Sequence, residues 1–179
     1  MPYATITIAM LTLVVYLIGN PRAMWLSSDW HYGFEFITYA LCHGGKLHLL
    51  VNLLALISFG PALERLWGHR VFLFCYLLAA AFGGLLQIKL LPGVPVIGAS
   101  AALLALFAAY ALRKPDAKIV SLFVVPLPAW AVLALYVGVS MAAMYFNWMP
   151  EVSHISHLGG ITVGVVFRLI DGYTTKPQA

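Results

Sequence analysis

The sequence predicts an all-α membrane protein, a bundle of six transmembrane helices whose fourth member is short and recessed. Three observations carry this. Of 179 residues, 63% are hydrophobic and only 9% charged, whereas a soluble domain carries about 25% charged residues. The hydrophobic residues fall in long runs separated by short polar breaks, not in the every-second-residue alternation of a membrane barrel. The run that opens at Ser100 reaches Arg113 after thirteen residues. That is about 20 Å of helix for a hydrocarbon core about 30 Å thick.

The first span covers roughly 3–19 and stops at Gly19-Asn20-Pro21. Its N-terminal flank, Met-Pro-Tyr-Ala-Thr-Ile-Thr, lacks the basic region of a signal peptide, so the run is expected to be retained. A loop over 20–45 follows, with Trp25, Trp30, Tyr32, Phe34 and Phe36, an aromatic density suited to the membrane interface. The second span, 46–66, and the third, 70–91, are divided by Trp67-Gly68-His69-Arg70. The fourth runs from Ser100 to the stop at Arg113-Lys114-Pro115. The fifth lies within 118–146, where Pro126 and Pro128 predict a kink or loop in part of it. The sixth covers 153–170. No repeat or low-complexity segment appears, and the length is expected to be filled by a single membrane domain over 1–179.

The net charge of +4 is spread over loops, which sets orientation and offers no clustered basic patch for nucleic acid. With six spans, Arg65, Arg70, Arg113, Lys114, Lys118, Arg168 and Lys176 share one side, and Arg22, Lys46 and Lys89 the other. The positive-inside rule then places both termini in the cytoplasm, in a prokaryotic cytoplasmic membrane, with the loop before Ser100 facing outward. Cys42 and Cys75, in apolar surroundings, read as buried small hydrophobes and not as a disulfide.

Because the fourth span is short, Ser100 is expected about 10 Å below the outer surface. Non-helical backbone at that depth must be buried in protein or line a watery cavity, so a recessed aqueous pocket opening outward follows. Polar residues inside spans default to function. Asn52 precedes Arg65 by thirteen residues, Ser100 precedes Arg113 by thirteen, and His157 precedes Arg168 by eleven. Each therefore lies about 17–20 Å from the cytoplasmic interface, and three helices bring an amide, a hydroxyl and an imidazole to one level. His48 stands one turn above Asn52 on the same face. Gly160 and Gly164 form a pair that lets backbones touch, opposite Ala101, Ala105 and Ala109 in the fourth span. Packing these faces brings Ser100 beside His157.

Ser100 is also a favoured helix cap, and cap and nucleophile are compatible roles at a helix N-terminus. A serine within reach of a histidine is an activated nucleophile with its base, and the reaction class is acyl transfer. The developing oxyanion needs preorganised donors, which the Ser100 N–H, the Asn52 amide and His48 can supply. An interhelical hydrogen bond for Asn52 and an interfacial position for His48 are the plainer alternatives. His43 and His154 read as loop or interface residues.

The motifs His43-Gly-Gly-Lys-Leu-His48-Leu-Leu-Val-Asn52, Gly98-Ala-Ser100 and His157-Leu-Gly-Gly160-Ile-Thr-Val-Gly164, in this order on helices two, four and six, resemble the rhomboid intramembrane serine proteases. Gly60, Glu64 and Gly68 also match the family's G-x-x-x-E-x-x-x-G ending of helix two. The resemblance covers the chain from about residue 36. It implies a six-helix minimal rhomboid-like bundle, a Ser100–His157 dyad without an acidic third member, and an oxyanion and substrate site at Ser100 N–H, His48, Asn52 and Gly98. It implies no cofactor and no metal. It also implies single-pass transmembrane protein substrates that enter sideways near helix five and the loop Phe146-Asn-Trp-Met-Pro-Glu151, a hydrophobic cap over the pocket.

Three departures from the family pattern involve four positions. Ala101 follows the nucleophile where glycine is frequent, and Phe34-Glu35 replaces a Trp-Arg pair. Leu104 stands where some members carry an aromatic that stacks on the histidine, so a different hold on His157 is expected. Two other function classes stay in play. One is a non-catalytic member that binds or escorts membrane helices. The other is a metal or haem site built from His43, His48, His154 and His157. Against the latter, five-residue spacing sets His43 and His48 on different helix faces, and no carboxylate or thiolate set joins them.

Overall fold

A computed structural model describes residues 1–29, 32–119 and 126–174. Trp30 and Lys176 lie outside the described residues. The helices are α1 (Tyr3–Leu17), the short α2 (Glu35–Thr38), α3 (Lys46–Leu90), α4 (Ser100–Arg113), α5 (Ala129–Phe146) and α6 (His154–Thr174). The six expected spans correspond to α1, the two halves of α3, α4, α5 and α6. By length and apolar character, α3 and α5 suffice to cross a membrane, and α1, α4 and His154–Ile170 are shorter apolar helices.

Helix α3 is two helices in one run. Gly68, at φ 75 and ψ 162, breaks it at the expected place. A left-handed φ strains any residue with a Cβ, and glycine adopts it freely. The halves fold back on each other. His48 in the first half lies against Gly98, Gly84 in the second half lies against Tyr39, and the Gly98 N–H donates to the Tyr39 carbonyl. Both ends of α3 therefore sit at one end of the bundle, with Gly68 at the other.

The fifth span lies within the expected 118–146, and the part holding Pro126 and Pro128 is not helical. Helix α5 begins only at Ala129, after Pro128 in extended conformation. Proline lacks the N–H that a helix interior needs. Ahead of it, β1 (Lys118–Ile119) pairs antiparallel with β2 (Leu127–Pro128). The sixth helix runs four residues past the expected end at 170, to Thr174.

Helix α4 sits at the centre. Ala101, Ala102, Ala105, Ala108, Ala109 and Ala111 are all buried, because α3, α5 and α6 pack around it. In lipid, helices associate through close packing, which small residues permit. A Cβ on Gly160 would overlap the Ala101 backbone, and one on Gly164 the Ala105 backbone. The other side of α6 meets the second half of α3, where a Cβ on Gly83 would come within 2.6 Å of the Ser156 carbonyl oxygen.

Two polar devices fasten the ends. The buried Glu64 carboxylate accepts the N–H groups of Ala4 at 2.7 Å and Thr5 at 2.8 Å, the Thr5 hydroxyl at 2.6 Å, and a short contact from His69. The first N–H groups of a helix have no partner within it, and a negative charge there also meets the helix dipole. Gly60 permits this approach, since a Cβ would sit 2.9 Å from the Thr5 side chain. At the opposite end, Asn20 exchanges two hydrogen bonds with the His43 backbone. Tyr39 donates its hydroxyl to the Ala80 carbonyl at 2.7 Å, and Leu26 and Val96 exchange backbone bonds. Glu35 is buried and accepts the Tyr32 N–H at 3.2 Å.

Candidate active site

The turn into α4 is shaped by Gly98. Its φ of +112 is left-handed, and a Cβ there would lie 2.7 Å from the Cε1 and Nε2 atoms of His48. The turn therefore rests on the His48 imidazole. Ala99, not Ser100, occupies the N-cap position, and no side chain caps the helix. This corrects the capping expectation. Ser100 is already the first helical residue, so its hydroxyl is free of the α4 backbone and reaches across to α6. Its Oγ lies 2.6 Å from His157 Nε2. That distance is a short hydrogen bond between residues 57 apart in sequence, made possible by the Gly160–Ala101 contact one turn further along α6.

His157 is buried and held from both ring nitrogens. Its Nδ1 lies 2.7 Å from the Tyr136 hydroxyl of α5, with ring centroids 6.0 Å apart. Tyr136 is the residue the sequence reading missed. Leu104 signalled that the imidazole needed another hold, but nothing in the apolar run of α5 marked one tyrosine as facing inward.

The remaining candidates gather at the same end. Asn52 is buried and donates to the His48 carbonyl at 2.7 Å, one turn back in its own helix. Its described hydrogen bond thus goes neither to Ser100 nor to His157, nor to another helix. His48 Nδ1 accepts the Gly44 N–H at 3.3 Å, and its ring meets His43 edge-on at 4.9 Å. This corrects the assignment of the two histidines to different faces. His43 precedes the first residue of α3, so helical spacing does not govern it. His43 lies in the loop before α3, as expected, but is buried there, and His154 is a buried helix residue and not a loop one. His43 is sealed in by the Asn20 contacts, and His154 opens α6 with its ring 6.3 Å from that of His157. Neither nitrogen of His154 has a partner among the described residues.

Among the described residues no group of three or more His, Cys, Asp or Glu could hold a metal ion. Cys42 and Cys75 are free and buried. The arrangement suits proton transfer. A hydroxyl at a helix N-terminus, where the dipole favours negative charge, faces an imidazole whose far nitrogen is also engaged.

The model of the rhomboid domain matches residues 28–174. Rhomboid protein 1, mitochondrial, of Saccharomyces cerevisiae is 33% identical over 136 residues, which is 72% of this chain and 39% of that protein. Rhomboid protease GlpG of Haemophilus influenzae is 28% identical over 91% of this chain and 81% of its own length. Inactive rhomboid-related protein 2 of Caenorhabditis elegans is 26% identical over 91% of this chain and 51% of that protein. The chain thus spans about two fifths of the yeast relative and about half of the nematode one.

Proposed function

The chain belongs to the rhomboid family of integral membrane proteins, and from that premise we propose that it is an intramembrane serine endopeptidase. It hydrolyses peptide bonds in or near transmembrane segments of single-pass membrane proteins. The observation that carries the reading is the 2.6 Å contact between Ser100 Oγ and His157 Nε2.

In this reading His157 takes the hydroxyl proton as Ser100 Oγ attacks the scissile carbonyl carbon. The carbonyl oxygen becomes an oxyanion at the N-terminus of α4. There the Ser100 N–H, the free amide hydrogen of Asn52 and His48 are the candidate donors. Gly98 keeps His48 and the turn in contact. Protonated His157 then gives its proton to the leaving amine, and the C-terminal fragment departs with its new amino terminus, while the N-terminal fragment stays esterified to Ser100. Water, activated by the same imidazole, releases the acyl group from Ser100. The six crossings, cytoplasmic termini and outward-opening site belong to this reading, supported by the distribution of basic residues. So does sideways substrate entry near α5. The last residue of α5, Phe146, and Trp148 in the loop after it present exposed rings stacked 5.0 Å apart.

The test uses purified protein in liposomes with a panel of single-pass transmembrane substrates. Wild type cleaves at least one, while Ser100→Ala and His157→Ala cleave none, and a fluorophosphonate probe labels wild type alone. Cleavage retained by both variants overturns the proposal. A non-catalytic escort is the second reading, prompted by the relative named as inactive. It is favoured if wild type copurifies with uncut membrane helices and takes up no probe.

A further inference from the structure

Tyr136 stands outside every motif that the sequence carries, yet its hydroxyl occupies the one position from which the imidazole can be steered. A neutral imidazole has a single N–H. If the proton sits on Nδ1, Nε2 presents a lone pair to Ser100 and can accept its proton. If it sits on Nε2, His157 donates to Ser100 and cannot act as a base. The choice is set by whatever the other nitrogen faces. Here that is the Tyr136 oxygen, at 2.7 Å.

A phenol can either accept or donate, so its own proton decides. When its oxygen accepts Nδ1–H, Nε2 of His157 is left as the acceptor that Ser100 requires. We propose that Tyr136 is the positioning residue of the dyad. It accepts the His157 Nδ1 proton, fixes the tautomer in which Nε2 is the base, and ties that tautomer to the position of α5. Among the described residues the partners of His157 are Ser100 from α4, Tyr136 from α5 and the ring of His154 in α6, and none of these is acidic. The neutral phenol thus stands where a carboxylate stands in a three-membered site. The inference rests on the protease reading for its kinetic consequence and on the geometry alone for the tautomer.

Tyr136→Phe keeps the ring in the bundle and removes only the oxygen. With a cleavable substrate in liposomes, kcat should fall by about 10- to 100-fold, less than the roughly 10⁴-fold seen when an ionised carboxylate partner is neutralised. KM should stay within about twofold, because the oxygen acts on the base and not on the bound substrate. The second measurement needs no activity. In protein carrying ¹⁵N-labelled histidine, the His157 ring nitrogens should report a proton on Nδ1 in wild type and a mixture of tautomers in Tyr136→Phe. A wild-type proton on Nε2, or a Tyr136→Phe protein with unchanged kcat and an unchanged nitrogen spectrum, overturns the inference. A wild type that cleaves nothing but shows the Nδ1 proton lost in Tyr136→Phe sinks the protease reading and leaves the positioning role standing.

Discussion

Gly160→Ala puts one methyl group between α4 and α6, and its effect can be worked from the contact it meets. The new Cβ would lie 2.9 Å from Ala101 Cα and closer still to the Ala101 carbonyl. Carbon contacts are comfortable at about 3.5 Å or more, and the obstacle is backbone, which cannot rotate away. Helix α6 must therefore recede by about 1 Å. Ser100 adjoins Ala101, and His157 is one turn before Gly160, so the dyad takes up nearly all of that displacement. Its 2.6 Å separation would open to about 3.6 Å, which is no longer a hydrogen bond. A misplacement of about 1 Å can cost about 100-fold in rate, and overpacking costs about 1–3 kcal/mol of stability.

The assay is cleavage of a reconstituted transmembrane substrate, read beside the rate of fluorophosphonate labelling and the thermal midpoint. Gly164→Ala meets the same obstacle at Ala105 but lies about 10 Å along the helix from His157. It should share the loss of stability and lose less activity. Gly138→Ala in α5 faces open space and should change neither. Gly160→Ala cleaving within twofold of wild type would refute the argument that helix spacing holds the dyad together.

Three further outcomes follow from the same contacts. Gly98→Ala combines a strained φ with a collision at His48 and should lower cleavage by about tenfold or more, whereas Gly93→Ala has the strain alone, at φ +96 with nothing nearby, and should retain activity. Comparing their specific activities at equal folded fraction separates the two causes. Glu64→Gln sets an amide hydrogen against backbone donors and should cost about 1.5–3 kcal/mol, seen as a lower thermal midpoint. Its kcat below the transition should be unchanged, because sixteen residues of helix, about 24 Å, separate it from His48. Asn52→Ala should lower kcat by about 100-fold at unchanged KM if its second amide hydrogen meets the oxyanion. A lower thermal midpoint with normal kcat would restrict Asn52 to its bond with the His48 carbonyl.

The bounds of α4, the break at Gly68 and the pairing of Ser100 with His157 were all legible in the chain. Each is written in a local signal: the length of an apolar run, a glycine between two runs, or a count of residues from a terminating arginine. The Gly160–Gly164 pair and the alanines opposite added the missing dimension, since small residues at one helical spacing state which faces can touch. Pro126 and Pro128 marked part of 118–146 as kink or loop, but hydropathy did not fix the first helical residue, which follows Pro128 at Ala129. His43 and His154 read as peripheral because histidines near helix ends are usually solvated. Both are buried: Asn20, 23 residues away, holds the His43 backbone, and the His43 and His154 rings lie 4.9 and 6.3 Å from those of His48 and His157.

By itself, then, the sequence determined that this is a bundle of apolar helices with a hydroxyl and an imidazole at matching depth on two of them. Depth along a helix follows from residue count, at a constant rise per residue. Only the tertiary structure decided how each helix is rotated about its axis and which neighbour it meets. That rotation turned Tyr136 onto His157 Nδ1, set His48 under Gly98, and brought the Glu64 carboxylate to the first turn of α1. A lone tyrosine in an apolar run carries no period of its own, so its orientation appears only once α5 is packed against α4 and α6.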